Sequence, residues 1–199
     1  LFELSESALF YIQQELLKRA EKIDGNIEIV AVLGSVLDTT RLRNVLSKFK
    51  VDSVFHAAAY KHVPMIEANA IEGIRNNIIG TKHLVDSCVW ANIRNLVIIS
   101  TDKAVRPTNL MGATKRFSEL VVQAIAKDCQ SMRTCLVRFG NVLGSSGSVV
   151  PIFREQINSG GPVTVTHPKM TRFFMTIPEA SELVIQAGAI ASDAEIFVL

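Results

Sequence analysis

Short apolar runs alternate along the chain with stretches in which apolar residues recur every three or four positions. The runs predict buried strands over 27–33, 52–59, 95–100 and 134–139, and residues 1–4 resemble the end of another strand. The helical spacing predicts helices over 5–19, from Asp38 or Thr39 to 46, over 64–90, and from after Pro107 to about 127. Strands that alternate with helices in this way favour an α/β fold, a doubly wound parallel sheet with helices on both faces.

The pattern changes after Phe139. Residues 140–148 form a loop rich in Gly and Ser, and only short elements follow. These are a helix over 151–157, extended segments over 163–166 and 172–177, and a helix over 178–190. We therefore divide the chain into a cofactor-binding sheet domain, residues 1–139, and a small substrate-binding lobe, residues 140–199, that partly returns to the sheet.

The strand over 95–100 is followed at once by Thr101, Asp102 and Lys103, and the next helix carries Met111 and Lys115 on one face. Open α/β sheets bind ligands at the carboxyl ends of their strands, so these side chains are candidates for a site. A solvated surface pair is the alternative for Asp102 and Lys103. Lys115 opposes the helix dipole in the first turns of its helix, so a ligand or a nearby carboxylate explains it better than helix stability does.

The composition narrows the class of protein. With 199 residues, 48% hydrophobic and 20% charged, the chain suits one globular domain with a sizeable core. A net charge of +2 gives no electrostatic reason to invoke nucleic acid or a membrane. The three cysteines form no CxxC pair and the four histidines have no metal-ligand spacing, so we expect reduced thiols and no metal site. The sequence has neither a signal peptide nor an apolar run of the ~20 residues that span a membrane.

A dinucleotide-binding, Rossmann-like fold carries GxGxxG between its first strand and helix, and the eleven glycines do not make that pattern. Either the fold is a different one, or the chain begins after the first βα unit. We favour the second explanation, and the first residue, Leu1 instead of Met, agrees with a piece of a longer chain. Glu3 then ends the second strand, where an acid binds the adenosine ribose and repels a 2′-phosphate, which favours NAD over NADP. The alternative is that Glu3 is a surface residue near the terminus.

Five segments carry a resemblance to a known family. They are HAAAYKHVP (56–64), STDKAVRPTN (100–109), MGATK (111–115), RFGNVLGSSGSVVP (138–151) and MTRFF (170–174). Together and in this order they resemble the UDP-N-acetylglucosamine 4,6-dehydratases of polysaccharide and flagellin-glycan biosynthesis, in the extended short-chain dehydrogenase/reductase superfamily. The resemblance implies a cytoplasmic lyase that forms homo-oligomers, binds NAD (alternatively NADP) and takes a UDP-sugar. A membrane-spanning region ahead of this segment would place it on the cytoplasmic face of a membrane.

The resemblance also implies a reaction in three steps. Oxidation of the sugar at C4 makes the C5 proton acidic, water is eliminated across C5 and C6, and hydride returns to C6. In this scheme Asp102 is the acid and Lys103 the base, Thr101 supplies a helper hydroxyl, and Lys115 holds the nicotinamide ribose. Met111 stands where the superfamily has Tyr, and it cannot accept a proton. Lys103 must lose its proton to act as a base, which requires burial or the positive charge of Lys115 nearby.

Other positions are assigned to binding through the resemblance. The cofactor-binding set is Glu3, Ser35, Val36, Ala57, Ala58, Ala59, Asn77, Ser100 and Lys115, and the substrate-binding set is Lys61, Asn141, Ser148 and Arg172. The three alanines let a strand end approach a cofactor or, alternatively, serve helix–sheet packing. Asn77 is polar in an otherwise apolar helix, so we expect it to contact backbone near the site. Ser35 stands where the family has Asp.

Four side chains are candidates for contacts with an anion or with the site: Arg172, Lys61, Arg106 and Tyr60. The guanidinium of Arg172 suits a diphosphate because it binds in a bidentate way. Lys61 and Arg106 serve the same anion or are solvated cations. Tyr60, at a neighbouring strand end, approaches the site or packs against apolar residues.

Other functions remain open at this point. One is a UDP-sugar epimerase or reductase of the same superfamily, but simple epimerases do not need an elimination acid and base such as Asp102 and Lys103. Another is a catalytically silent homologue that binds the cofactor, which the loss of Tyr favours and the retention of Asp102, Lys103 and Lys115 opposes. A nucleic-acid module is disfavoured because the chain lacks a cationic stripe interleaved with aromatic residues.

Overall fold

The computed structural model describes residues 1–23, 27–129, 131–145, 147–165, 167–169 and 171–199. The helices are α1 (Glu6–Ala20), α2 (Thr39–Lys48), α3 (Val63–Ala68), α4 (Ala70–Ile74), α5 (Gly80–Trp90), α6 (Leu110–Asp128), α7 (Val149–Asn158) and α8 (Ile177–Ile190). The strands are β1 (Phe2–Glu3), β2 (Val32–Leu33), β3 (Ser53–His56), β4 (Asn95–Thr101), β5 (Arg133–Phe139), β6 (Asn141–Val142), β7 (Phe174–Met175) and β8 (Asp193–Val198). None of the helices described here is long and apolar enough to cross a membrane.

The central sheet is parallel, with the strand order β3-β4-β5-β8. Two further parallel pairs, β1-β2 and β6-β7, lie outside it. Helices connect consecutive parallel strands, as right-handed crossovers require. The predicted α/β, Rossmann-like class is therefore confirmed, and the last strand of the C-terminal segment pairs with β5 in this sheet.

The middle strands are covered on both faces, which is why their sequences read as continuous apolar runs. Successive side chains of a strand point to opposite faces. Leu96 and Ile98 of β4 accordingly pack in one buried cluster with residues of α2 and α5, whereas Val97 packs in a second cluster with residues of α8. Ser5 was predicted to cap the first helix and is confirmed, since it accepts a hydrogen bond from Ala8 N. The second helix, predicted to start at Asp38 or Thr39, starts at Thr39, and Asp38 caps it by accepting a hydrogen bond from Arg41 N.

A cavity of about 630 Å³ separates the β1-β2 pair from strand β3. Apolar side chains from both sides line it, among them Val30, Val32, Leu42, Val54 and Leu84. This arrangement corrects the predicted strand over 27–33, of which only Val32–Leu33 is a strand. Val30 borders the cavity instead of pairing within a central sheet, and Ile27 is exposed, so apolar character alone overestimated the strand.

Two other predicted strands are wrong in extent. The strand expected over 52–59 is limited to Ser53–His56, because the chain turns away at the small residues that follow. The segment expected to be extended over 163–166 contains no strand in its described part, 163–165, and Thr166 lies outside the described residues.

The single helix predicted over 64–90 is wrong and is in fact interrupted twice. Asn69, with φ −132° and ψ 54°, separates α3 from α4. A π-helical turn, Arg75–Ile79, then joins α4 to α5. The wider π turn places both Asn76 and Asn77 in the interior, which a regular helix in this register does not do for consecutive polar residues. Periodicity of apolar residues missed both interruptions because the flanking turns keep a helical spacing.

Candidate active site

The carboxyl ends of strands β3, β4 and β5 meet at one edge of the sheet and enclose a cavity of about 380 Å³. Residues that follow each strand line this cavity, as expected where parallel strands end together. The predicted site residues among them are Ala57, Ala59, Lys61, Ser100, Thr101, Lys103, Met111, Lys115, Asn141 and Ser148. Tertiary structure thus brings together side chains that are up to ninety-one positions apart in sequence (57 to 148).

Thr101, Asp102 and Lys103 form a compact hydrogen-bonded turn at the end of β4. Thr101 Oγ1 donates to Asp102 Oδ1 over 2.9 Å, and Lys103 Nζ donates to the same oxygen over 3.0 Å. Burial acts to raise the pKa of Asp102, but the hydrogen bonds from Lys103 and Thr101 outweigh it and hold that pKa below its usual value. Asp102 is half exposed and Lys103 lines the cavity, so the pair spans from solvent to the cavity wall.

Lys115 is buried beside the same turn, and its Nζ donates to the Ile99 carbonyl over 2.5 Å. Burial lowers the pKa of Lys115 to about 8, against the opposing effect of the Glu119 carboxylate one helical turn further along α6. The nearby carboxylate that the sequence argument invoked for this lysine is therefore present. Met111, also buried, presents its thioether to the cavity four residues before Lys115.

Asn77 fastens the segment that follows β3. Its Oδ1 accepts from Tyr60 N over 2.8 Å and its Nδ2 donates to Tyr60 O over 3.0 Å, so the expected contact with backbone near the site is present. The Nδ2 group also donates to Thr114 Oγ1 over 3.1 Å, which ties the segment to α6. Tyr60, half exposed, is held against the cavity that Lys103 and Lys115 line, so it approaches the site as one interpretation suggested.

His56 lies beneath this segment in a neutral form. Burial, and then the charge of Lys115, lower the pKa of His56 to about 3. Thr81 Oγ1 donates its proton to Asn77 O over 2.6 Å, so it can only accept from His56 Nε2, 3.0 Å away. His56 therefore carries its proton on Nε2 and serves to orient Thr81.

A second cavity at the candidate site, of about 210 Å³, adjoins the one of about 380 Å³ and shares Ala57, Ala59 and Tyr60 with it. The remaining predicted cofactor residues that line it are Glu3, Ser35, Val36 and Ala58. Glu3 Oε1 accepts from Ser5 N over 2.8 Å, and a carboxylate keeps a second oxygen for a ligand.

Two predicted anion-binding residues are not brought to the cavity. Arg172 is exposed, and its Nη1 donates to Thr171 O over 2.8 Å. Arg106, also exposed, has a left-handed φ of 45° in the loop before α6. Both lie in exposed loop segments, where a motif in the sequence does not determine where a long side chain points.

Gly112 was quoted only as part of a motif, yet it sets how closely helix α6 approaches the Asp102–Lys103 turn. A Cβ at this position would lie 2.2 Å from the Lys103 carbonyl oxygen. Because that oxygen belongs to the backbone, any larger residue must move the turn or the helix. The sequence indicates this close contact only through the presence of a glycine in the first turn of the helix.

Comparison with known proteins places the chain in a family. A profile of the polysaccharide biosynthesis protein family matches residues 1–199. The chain belongs to this family. The chain is 55% identical to the capsular polysaccharide biosynthesis protein CapD of Staphylococcus aureus, over 98% of the chain. The chain spans about a third of CapD, 32% of its length.

Solved structures agree with the family's fold. Pen from Bacillus thuringiensis has a TM-score of 0.90 and 36% identity, and the match covers all of this chain and 59% of Pen. DesIV from Streptomyces venezuelae, a dTDP-glucose 4,6-dehydratase solved with NAD and TYD bound, has a TM-score of 0.82 and 20% identity, over 99% of this chain and 74% of DesIV. At that identity, the likeness to DesIV concerns the fold alone.

Proposed function

We propose that this chain forms the cofactor- and sugar-binding part of a UDP-N-acetylglucosamine 4,6-dehydratase. One observation carries the proposal: Lys103, Met111 and Lys115 line the same cavity as Asn141 and Ser148. Lys103, Met111 and Lys115 belong to the motifs assigned to catalysis. Asn141 and Ser148 belong to the motif assigned to binding of the nucleotide sugar. Membership of the polysaccharide biosynthesis protein family supports this proposal.

The residues fit a nicotinamide dinucleotide. The two adjoining cavities are joined by small side chains, Ala57 and Ala59, with the Lys115 ammonium in the first cavity and the Glu3 carboxylate in the second. We assign Lys115 to the nicotinamide ribose and Glu3 to the adenosine ribose, which favours NAD over NADP because a carboxylate repels a 2′-phosphate. When bound, this cofactor supplies the hydride acceptor for the sugar C4 and the donor for C6.

Asp102 and Lys103 are assigned to the loss of water between those hydride transfers. In the structure they form a carboxylate–ammonium pair, whereas elimination needs a protonated acid and a neutral amine. Transfer of one proton along the 3.0 Å contact from Lys103 Nζ to Asp102 Oδ1 produces that pair without any proton from solvent. In water this exchange costs about 9 kcal/mol, because carboxyl and ammonium groups titrate some six to seven pH units apart.

A bound sugar lowers the cost of this exchange. It displaces water from the cavity wall that Lys103 lines, and removal of water penalises the two charged groups but not the neutral pair. Lys103 then takes the C5 proton and Asp102 protonates the leaving C6 hydroxyl. Asp102 and Lys103 therefore stay a carboxylate and an ammonium until the bound substrate shields them from water.

Residues 140–199 are proposed to supply the contacts to the nucleotide sugar. Asn141, Ser145 and Ser148 face Lys103 and Lys115 across the cavity. The Ser148 hydroxyl is buried and lacks a hydrogen-bond partner within the described residues. Ser148 is the N-cap residue of helix α7, yet its side chain does not bond the first backbone N–H groups of that helix. Such an orphaned donor at a helix N-terminus suits an anionic ligand.

The decisive experiment gives UDP-N-acetylglucosamine and NAD to the full chain in heavy water. A dehydratase releases a product that has lost one water and carries deuterium at C5, and the NAD is recovered unreduced. An epimerase or a reductase gives a product that retains the C6 hydroxyl, which would overturn the proposal. Binding of NAD without any change in the sugar would indicate a silent homologue.

A further inference from the structure

Glu119 is a fully buried carboxylate that the proposed chemistry does not use. Its Oε1 accepts from Ser100 Oγ over 2.6 Å and from Arg138 Nε over 2.8 Å. Its Oε2 accepts from Arg138 Nη2 and, over 3.0 Å, from Arg116 Nη1. Burial acts to raise the pKa of Glu119, but the hydrogen bonds from Arg138, Ser100 and Arg116 outweigh it, so the carboxylate stays ionised.

The position of Glu119 links it to the candidate site. It lies one turn after Lys115 on α6, so both side chains project from one face of the helix. Lys115 binds the carbonyl of Ile99, and Glu119 binds the hydroxyl of the next residue, Ser100. Arg138 of the neighbouring strand β5 is the register partner of Ser100. One helix and two strands are therefore joined at a point directly before Thr101.

Stability alone is a weak reason for such a cluster. Replacement of a buried ion pair by apolar residues of similar volume is often neutral or stabilising, because the desolvation of two charges offsets their attraction. A polar cluster that lies under the Thr101–Lys103 turn has a more specific use. It fixes the end of β4 in one register against α6, from which Met111 and Lys115 face the cavity.

We propose that Glu119 is a positioning residue. Its hydrogen bond with Ser100, next to the bond of Lys115 with the Ile99 carbonyl, holds the Thr101–Lys103 turn and the Lys115 ammonium in place at the cavity. The inference rests on the proposed function for its effect on turnover. Its effect on Lys115 is independent of that function and is measured separately.

The electrostatic consequence for Lys115 can be stated from its surroundings. Among the described residues, Glu119 on the same helix and His56 of β3 interact electrostatically with Lys115. The ionisable residues that line the same cavity are Tyr60, Lys61, His62 and Lys103. His56 is neutral above pH 4, and Lys103 has the same sign as Lys115, so Glu119 is the group that favours the ammonium. Loss of the Glu119 charge therefore moves the titration of Lys115 from about pH 8 towards neutral pH.

The test compares Glu119→Gln with Glu15→Gln, the same change at an exposed carboxylate of α1 that pairs with Arg19. In the full chain, we expect Glu119→Gln to lower kcat for UDP-N-acetylglucosamine with NAD at least about tenfold, with KM nearly unchanged, because small displacements of catalytic groups cost rate more than binding. Glu15→Gln should leave kcat within about twofold, as an exposed ion pair contributes little.

A second measurement follows Lys115 directly, by NMR titration of chains labelled with ¹³C-lysine and assigned with Lys115→Arg. We expect the midpoint for Lys115 to fall in Glu119→Gln and to stay in Glu15→Gln. Because Glu119→Gln leaves Arg138 unpaired, the double variant Glu119→Leu/Arg138→Met serves as the folded alternative. It should unfold at a temperature near that of the wild type and still show the low kcat.

Recovery of wild-type kcat by the double variant, or an unchanged Lys115 midpoint in Glu119→Gln, would overturn the inference and leave Glu119 a merely structural residue. Absence of water loss in the wild-type chain would refute the proposed function instead, and the NMR midpoint would then decide on Glu119 by itself.

Discussion

Lys115 places an amine in the interior, and the free energy of unfolding should record its protonation. Burial lowers the pKa of this group from 10.5 to about 8 in the folded chain. Between these two pH values the unfolded chain binds more protons than the folded one, so the stability contributed by this site rises with pH and is lost as pH falls through 8. Each pKa unit corresponds to about 1.4 kcal/mol, so burial of the ammonium costs about 3 kcal/mol at pH 7.

Replacement of Lys115 by Met removes this dependence and keeps a side chain of similar length. The penalty on the wild type is about 3 kcal/mol at pH 7 and about 1 kcal/mol at pH 10, by linkage from the same two pKa values. The difference in unfolding free energy, variant minus wild type, should therefore fall by about 2 kcal/mol over this range. The lost hydrogen bond to Ile99 O subtracts about 1 kcal/mol at every pH and does not alter the slope.

The assay is urea unfolding of both chains at pH 7, 8, 9 and 10, with equal m values as the check that both unfold in the same way. Both chains share the other buried titratable groups, so the contributions of His56 (pKa about 3) and of Cys88 and Cys135, whose pKa values burial raises to about 12 and about 11, cancel in the difference. Lys82→Met, at a half-exposed lysine of α5, controls for the substitution itself. A difference between Lys115→Met and wild type that stays constant within about 0.5 kcal/mol would refute the burial argument.

Three further substitutions test the site. Lys103→Ala should abolish water loss while NAD still binds, and near-normal product formation would remove Lys103 from the mechanism. We propose that Tyr60, which lines the cavity, exchanges the proton of the sugar C4 hydroxyl, because Met111 has no proton to exchange. Tyr60→Phe should then lower turnover about a hundredfold, the usual effect of losing a general acid–base group; turnover within about twofold of wild type would leave Tyr60 a packing residue. Gly112→Ala should cost about 1–3 kcal/mol of stability and most of the turnover, because its Cβ meets the Lys103 carbonyl at 2.2 Å. Ala113→Ser, at the exposed next position, should leave both near wild type; equal effects of the two changes would contradict the close contact.

The elements that the sequence predicted well are those whose cause is local. Ser5 and Asp38 begin helices because their side chains accept backbone N–H groups three residues later. Strands β4 and β5 were predicted almost to their ends because burial on both faces requires an unbroken apolar run. Segment 27–33 has a similar composition, but only Val32–Leu33 enters a sheet ladder, and Val30 borders a cavity instead.

The sequence by itself determined the alternation of strands and helices, the Asp102–Lys103 pair directly after a strand and the lysine on the following helix, since these depend on residue type and spacing. Only the tertiary structure decided which distant side chains share the cavity. It placed Asn77 on the backbone of Tyr60, kept Arg172 away, and joined Glu119 to Arg138 and Ser100. These contacts depend on strand register, a π-helical turn and the angle between helix and sheet, and chain folding sets all three over separations that no local pattern encodes.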